Sequence, residues 1–199
     1  RMMFYGQYRR TGSYFAASPF GASGMPGAKE LALLEPYRAS LPPEVFGPMV
    51  KPPDTLPPNS LRGNLRVARD LLAQAGWHYR DGALRDANGT PMKIEIIDDQ
   101  PGMDRLILPY MQALANLGIE AHLREIDSAL YQKRIDNFEF DMTTYIYPPV
   151  TIPGVELARR FGSAAASQVG SENYSGIRSP AVDSLIHAAL AATTLDDLQ

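Results

Sequence analysis

Three acidic side chains in the middle of the chain are the residues best suited to chemistry. Asp98 and Asp99 are adjacent, and Asp104 follows closely. They come at the carboxyl end of a predicted parallel strand, where open α/β sheets place their ligands. Carboxylates there could hold a cation, pair with a ligand amine, or act as the acids of a hydrolase of peptides or glycans. The alternative is a solvated turn in which Asp104 complements the dipole of the next helix.

Other signatures of catalysis or metal binding are missing from the sequence. The three histidines, His78, His122 and His187, are far apart and have no zinc-site spacing. The chain has no cysteine, which excludes disulfides, thiolate metal ligands and a cysteine nucleophile. It also has no GxSxG elbow, no phosphate-binding loop and no GxGxxG motif. We therefore expect no metal and no cofactor, and a carboxylate-dependent hydrolase and a pure interaction domain remain open as functions.

The composition of the 199-residue chain excludes further classes of protein. Apolar residues make up 45% and charged residues 21%, as in ordinary globular proteins rather than disordered ones. The formal net charge is −3 and basic residues are scattered, so nothing favours a nucleic-acid partner. No apolar stretch approaches the roughly 20 residues that span a bilayer.

Aromatic residues give a second set of candidate binding residues. Tyr145 and Tyr147 end a predicted strand, and alternation along a strand would place both rings on one face. Tyrosine rings offer a large contact area at a small entropic cost, although aromatics at strand ends also cap cores. A second aromatic group lies near the first residue and accompanies Arg9 and Arg10; its members are Phe4, Tyr5, Tyr8, Tyr14 and Phe15.

These residues are positioned by a predicted α/β fold. Residues 1–60 are rich in glycine and proline and predict an irregular wrapping segment with one short helix at residues 28–37. Residues 61–199 predict the α/β core of the same lobe. Its helices cover residues 61–75, 103–117, 130–138 and 156–161, with another beginning at Ser179-Pro180, and its strands cover 92–96, 119–123 and 140–147. Strand–helix–strand–helix–strand order with crossovers of this length indicates parallel neighbours.

Two tight turns and one helix start complete the pattern. Asp81-Gly82 and Asn88-Gly89 indicate the turns of a small hairpin region. Thr194 followed by Asp197 indicates the N-cap of a helix that begins close to the last residue. We therefore expect this chain to be part of a longer protein.

Several segments, in order, resemble family 5 extracellular solute-binding proteins, the oligopeptide- and dipeptide-type receptors. The first are residues 68–77 (ARDLLAQAGW), 81–82 (DG), 88–96 (NGTPMKIEI) and 117–120 (LGIE). The Yej-type branch of this family is indicated by residues 4–11 (FYGQYRRT), 30–37 (ELALLEPY), 41–46 (LPPEVF), 153–154 (PG) and 170–177 (GSENYSGI). The resemblance implies a C-terminal lobe of the type II periplasmic-binding-protein fold, with the N-terminal lobe absent.

The resemblance also implies roles for individual residues. Tyr147 takes the place of an aromatic that borders the peptide in the family. An aspartate that binds the peptide's amino terminus in some members has no counterpart in residues 148–153 (PPVTIP). Glu156 or the Asp98-Asp99 pair could replace it, or the ligand is not a plain peptide. The residues that we expect to contact the ligand are Arg9, Tyr14, Asp98, Tyr145, Tyr147, Glu156 and Asn173.

The function implied is that of the substrate-binding component of an ABC importer. It captures peptides or peptide-like compounds between two lobes and delivers them to permease subunits at the inner membrane. A monomer in the Gram-negative periplasm is expected. The alternative within this class is a receptor for another small solute, such as a metal chelate, haem or an opine.

Overall fold

The computed structural model describes residues 10–16, 18–148 and 150–198. The chain forms two compact units, which we call the sheet unit, Pro53–Ile146, and the two-segment unit, Arg1–Pro52 with Tyr147–Gln199. The division predicted from the sequence, a wrapping segment over residues 1–60 and an α/β core over residues 61–199, stays a prediction. Among the described residues, no helix is long and apolar enough to cross a membrane.

The sheet unit contains a parallel three-stranded sheet. Its strands are β3 (Lys93–Asp98), β4 (Glu120–Glu125) and β5 (Met142–Thr143), in the order β4-β3-β5. Two helices connect them, α3 (Asp104–Ala115) and α4 (Ser128–Asp136). Both strand pairs are parallel, so the predicted β-α-β-α-β arrangement is confirmed. The carboxyl ends of β3 and β4 meet at one edge, because Asp98 lies opposite Glu125.

Helix α2 (Leu61–Gln74) and a hairpin pack on the same core. The core contains Leu84, Leu114, Leu117 and Ile119, against which Leu65, Leu72 and Trp77 are packed. The spacing of apolar residues predicts Leu71 on the inward face of α2, but 58% of its surface is exposed. The same spacing predicts Tyr110 on the apolar face of α3, but this residue is exposed. Both helices bury a narrower stripe than the sequence periodicity predicts.

The hairpin follows from two residues that accept positive φ. Strands β1 (His78–Arg80) and β2 (Ala83–Arg85) pair antiparallel, and Asp81 and Gly82 have φ of 49° and 79°. This confirms the turn predicted at Asp81-Gly82. Gly118, with φ of 83°, accepts a 2.7 Å hydrogen bond from the Leu84 amide. A Cβ there would lie 2.7 Å from that nitrogen, so close packing requires glycine.

The strand predicted over residues 140–147 is wrong in length, because β5 has only two residues. The ladder to β3 stops where side chains take over the hydrogen bonds. The Thr144 hydroxyl donates to Asp98 Oδ1, and Tyr131 Oη donates to the Thr144 carbonyl. Tyr145 and Tyr147 therefore lie beyond the strand, and the alternation argument for a shared face does not apply to them.

The two-segment unit is built from short helices. They are α1 (Ala28–Leu34), α5 (Glu156–Phe161), α6 (Pro180–Ala191) and α7 (Leu195–Leu198), with 3₁₀ turns at Glu35–Tyr37, Pro43–Phe46 and Ala165–Ser167. Two predicted caps are confirmed. The Ser179 hydroxyl accepts from the Val182 amide, and the Thr194 hydroxyl accepts from the Asp197 amide at 3.1 Å.

Candidate functional site

Five aromatic rings of the two-segment unit form what we call the aromatic cluster: Tyr14, Phe15, Tyr147, Phe161 and Tyr174. Tyr14 contacts Phe161 edge to face, with ring centroids 5.0 Å apart, and lies 6.2 Å from Tyr147. Tyr174 stacks on Tyr147 at 6.4 Å. Such arrangements add to the stability gained from burial alone. Tyr14 keeps 40% of its surface exposed, so its ring can still meet a ligand.

A buried ion pair lies beneath the aromatic cluster. Arg160 is 6% exposed; its Nε donates to Glu172 Oε2 at 2.7 Å and its Nη1 donates to the Tyr14 hydroxyl. The guanidinium carbon lies 4.9 Å from the centre of the Tyr147 ring, a cation–π distance. Burial lowers the pKa of Arg160, but hydrogen bonds to Glu172 and Tyr14 outweigh it and raise the pKa above its ordinary value. The pair therefore fixes the positions of two tyrosine rings.

Glu172 connects the ion pair to the loop that precedes α6. Its carboxylate also contacts the exposed Arg159 at 3.2 Å, and its backbone carbonyl accepts a 2.9 Å hydrogen bond from the Tyr147 hydroxyl. The next residue, Asn173, is completely buried. Its amide nitrogen donates to the carbonyls of Gly162 and Ile177, and its oxygen accepts from the Ile177 amide. Asn173 thus uses its side chain to hold this loop in shape.

Glu156, the first residue of α5, has a local partner. Its Oε1 accepts a 2.9 Å hydrogen bond from the Gly154 amide just before the helix. A carboxylate in the first helical turn also complements the helix dipole. Glu156 is half-buried, and its second oxygen has no hydrogen-bond partner in the described part of the chain.

The sheet unit carries a different group of residues, which we call the acidic edge: Asp98, Asp99, Glu125 and Asp127. They line a cavity of about 360 Å³ together with Gln100, Pro101 and Ile126, at the carboxyl ends of β3 and β4. The Asp127 carboxylate caps α4 by accepting hydrogen bonds from the amides of Ala129 and Leu130. Within the described residues, no group of three His, Asp or Glu side chains is arranged to hold a metal ion.

Tyr131 forms hydrogen bonds at the end of β5 and is influenced by the charges of the acidic edge. Its hydroxyl lies 2.9 Å from the Thr143 hydroxyl and from the Thr144 carbonyl. Burial raises the pKa of Tyr131, and the negative charges of Asp99 and Asp98 add to that increase, whereas the Thr143 hydrogen bond opposes it. Tyr131 therefore remains a neutral hydrogen-bond donor at the base of the acidic edge.

The structure places the residues expected to bind ligand in two groups. Tyr14, Tyr147, Glu156 and Asn173 belong to the two-segment unit, and Asp98 and Tyr145 belong to the sheet unit. Tyr145 is 40% exposed. Arg9 lies outside the described residues, as do Phe4, Tyr5 and Tyr8. Contact with a ligand remains a prediction for all of these residues.

Sequence reasoning missed the ion pair of Arg160 and Glu172. A signal for Arg160 was present, because it follows Leu157 by one helical turn in α5 and so shares its buried face. In the charge pattern of the sequence, Arg159 and Arg160 count only as one pair among scattered basic residues. Glu172 gave no such signal, because it lies in an irregular segment whose path the sequence pattern does not determine.

Comparison with known proteins decides the family of this chain. The family model for bacterial extracellular solute-binding proteins, family 5 Middle, matches residues 4–168. The chain belongs to this family. The family resemblance drawn from the sequence is thereby confirmed, and the family consists of binding proteins rather than enzymes.

Two family 5 relatives and one solved structure illustrate the similarity. The probable peptide-binding protein YejA of Agrobacterium fabrum is 38% identical over 99% of this chain and 32% of its own length. The peptidoglycan-binding protein YepA of the same organism is 34% identical over 98% of this chain and 32% of its own. The oligopeptide-binding protein AppA of Bacillus subtilis, solved with a nonapeptide, has a TM-score of 0.60 at 21% identity and covers 75% of this chain and 29% of AppA.

The comparison with AppA confirms the α/β fold of a periplasmic-binding-protein lobe. This chain spans about a third of the length of the curated family 5 relatives that it matches.

Proposed function

We propose that the chain forms part of the substrate-binding component of an ABC importer that captures peptides or peptide-like compounds. The observation that carries this proposal is the family 5 match over residues 4–168. The similarity to YejA of Agrobacterium fabrum, a probable peptide-binding protein, supports the same ligand class. The relative named as peptidoglycan-binding favours including peptide-like cell-wall fragments among the compounds to be tested.

In this proposal the aromatic cluster supplies a contact surface for the ligand. Tyr14 offers a partly exposed ring, and Tyr147 is held by the Glu172 carbonyl and by Arg160. Rings fixed in this way lose little conformational entropy on binding, and they tolerate varied side chains because their contacts are not specific to one group. This suits a receptor that must accept many sequences.

The wider mechanism follows from the two-lobed architecture implied by the family. Hinge closure buries a ligand between two lobes and creates a shape that differs from that of the empty receptor. We propose that permease subunits at the inner membrane recognise this closed shape, and that the receptor acts as a monomer in the Gram-negative periplasm. Peptide backbone groups would be satisfied by hydrogen bonds, some of them through water.

The experiment that tests this proposal is native mass spectrometry of the full-length protein. The protein is purified gently and then denatured to release whatever it carries. We expect a mixture of short peptides or peptide-like fragments. An empty protein that also ignores an added peptide pool would contradict the proposal and favour another small solute.

A matched pair of variants tests the role of the aromatic cluster. Tyr147→Ala should weaken peptide binding in isothermal titration calorimetry by roughly tenfold or more, because one fully packed aromatic contact is typically worth that much. Tyr79→Ala is the control, since Tyr79 is an exposed tyrosine of the sheet unit hairpin. Equal effects of the two substitutions would remove Tyr147 from the proposed contact surface.

A further inference from the structure

The cavity at the acidic edge has a lining of one sign of charge. Asp98, Asp99, Glu125 and Asp127 all contribute to it, and the remaining lining residues are uncharged. The Asp127 carboxylate is used in capping α4, whereas the carboxylates of Asp98, Asp99 and Glu125 take no part in that cap. Carboxylates gathered in one concave site repel each other, and their potential adds up at its mouth.

Asp98 is the residue that separates this cavity from an ordinary solvated turn. Only 2% of its surface is exposed, although it carries a carboxylate. Its Oδ1 accepts a 2.8 Å hydrogen bond from the Thr144 hydroxyl, and Oδ2 has no donor within the described part of the chain. Among the described side chains, no fully enclosed nitrogen or oxygen lacks a partner. The unpartnered Oδ2 is therefore not fully enclosed, and the cavity is the concave surface that Asp98 lines.

Two arginines of the neighbouring strand and helix are engaged elsewhere, because Arg124 and Arg134 contact Glu95, at 3.2 Å and 2.5 Å. In the described part of the sheet unit, no ion pair joins the buried carboxylate of Asp98 to a cation. A carboxylate taken out of water without a counter-charge is destabilised, and a cation that enters the cavity would recover part of that loss.

We propose that the acidic edge binds a cationic group of the ligand, an ammonium or guanidinium such as a lysine or arginine side chain carries. A volume of about 360 Å³ holds a side chain rather than a single ion. Thr144 orients Asp98, whose Oδ2 accepts from the cation, and Asp99 and Glu125 add attraction at the mouth. This inference rests on the proposed peptide receptor function and narrows it to ligands that include cationic peptides.

A small organic cation tests the site itself. The full-length protein is titrated with agmatine, and backbone amide shifts are followed by NMR. We expect agmatine to shift the backbone amide signals of residues 98–100 and 125–127. In the double variant Asp99→Asn/Glu125→Gln, these shifts should be at least fivefold smaller. The control Asp70→Asn/Glu139→Gln removes the same charges from exposed positions outside the cavity and should behave as the parent protein. No shift at these residues, or equal shifts in both double variants, would overturn the proposal.

A matched peptide series tests its link to function. Alanine tetrapeptides that carry lysine or norleucine at each position in turn share the same amino terminus, so that group cancels in every pair. At one position we expect lysine to bind about tenfold tighter than norleucine, and this preference should vanish in Asp99→Asn/Glu125→Gln while norleucine binding is unchanged. Peptide binding without a lysine preference at any position contradicts the cationic site alone. Agmatine binding without any peptide binding contradicts the receptor function alone.

Discussion

The aromatic cluster and the acidic edge handle buried charge in opposite ways. In the two-segment unit, Glu172 lies between Arg159 and Arg160, and the buried guanidinium is bonded on two sides. In the sheet unit, Asp98 is more deeply buried and has one neutral donor, Thr144. Paired charge makes a rigid support, because every bond is completed within the protein. Unpaired charge is kept at a cost in stability, which a binding site can justify.

The sheet unit also contains its own example of a compensated carboxylate. Glu95 forms ion pairs with Arg124 and Arg134, just as Glu172 forms ion pairs with Arg159 and Arg160. Glu95 and Asp98 both lie on β3, so the strand carries a satisfied carboxylate and an unsatisfied one. The contrast therefore concerns individual positions and is not a general property of either unit. The following substitutions test it, starting with the largest expected effect.

Removing the buried arginine should give the largest loss. Arg160→Ala leaves Glu172 and the Tyr14 hydroxyl without their buried partner, and we expect the free energy of unfolding to fall by about 3 kcal/mol. Arg159→Ala is the control, because this arginine is 63% exposed and should cost at most about 0.5 kcal/mol. Urea unfolding measures both values. Similar losses for the two variants would show that burial of the pair is unimportant.

At the acidic edge, we expect a substitution to raise the free energy of unfolding rather than lower it. Asp98→Asn keeps an acceptor for Thr144 and removes the uncompensated charge, so the free energy of unfolding should rise by about 1 kcal/mol. Asp70→Asn makes the same chemical change at an exposed position of α2 and should alter stability by less than about 0.5 kcal/mol. A clear loss of stability in Asp98→Asn would mean that its charge is compensated after all.

Glu95 should show the pH dependence of a paired carboxylate. Its pKa is lowered from 4.5 by hydrogen bonds to Arg134 and Arg124. A depressed folded-state pKa stabilises the protein above the unfolded value of about 4.5, and this contribution is lost as the pH falls through the folded value. Glu95→Gln should therefore cost about 1 kcal/mol near neutral pH, and its difference from the parent should shrink in acid. The measurement is urea unfolding at a series of pH values.

The control for this series is Glu139→Gln. The Glu139 side chain is exposed and has no hydrogen bond or ion pair in the described part of the chain. Its stability difference from the parent should be small, because the substitution removes no side-chain hydrogen bond or ion pair in the described part of the chain. A Glu95→Gln difference that stays constant into acid would show that the two arginines contribute nothing through its charge.

Much of the sheet unit could be predicted from the sequence, because its periodic patterns depend on local geometry. The presence of β3, the presence of α3 and the turn at Asp81-Gly82 all reflect constraints within a few residues. The length of β5 could not be predicted in this way. Its ladder ends through bonds from Tyr131 and Thr144, and the sequence pattern does not show where those side chains meet.

The candidate site was also predictable only where it depends on the local pattern and the fold class. Asp98 was identified because parallel strands place their carboxyl ends at one edge, which is a property of the fold. Its burial and its unpartnered oxygen were not predictable, since both depend on Thr144 and on the packing of neighbouring loops. The bond between Arg160 and Tyr14 joins residues far apart along the chain, and no periodicity in the sequence encodes such a distance.

The single tryptophan gives the sheet unit an optical signal of its own. Trp77 packs against the core of the sheet unit, so its emission reports solvent entry into that core alone. Far-UV circular dichroism reports the helices of both units. In a denaturant titration the two signals would coincide if the units melt as one cooperative block, and would separate if they melt apart. A titration of Arg160→Ala read at both signals would then show whether damage to the two-segment unit reaches the environment of Trp77.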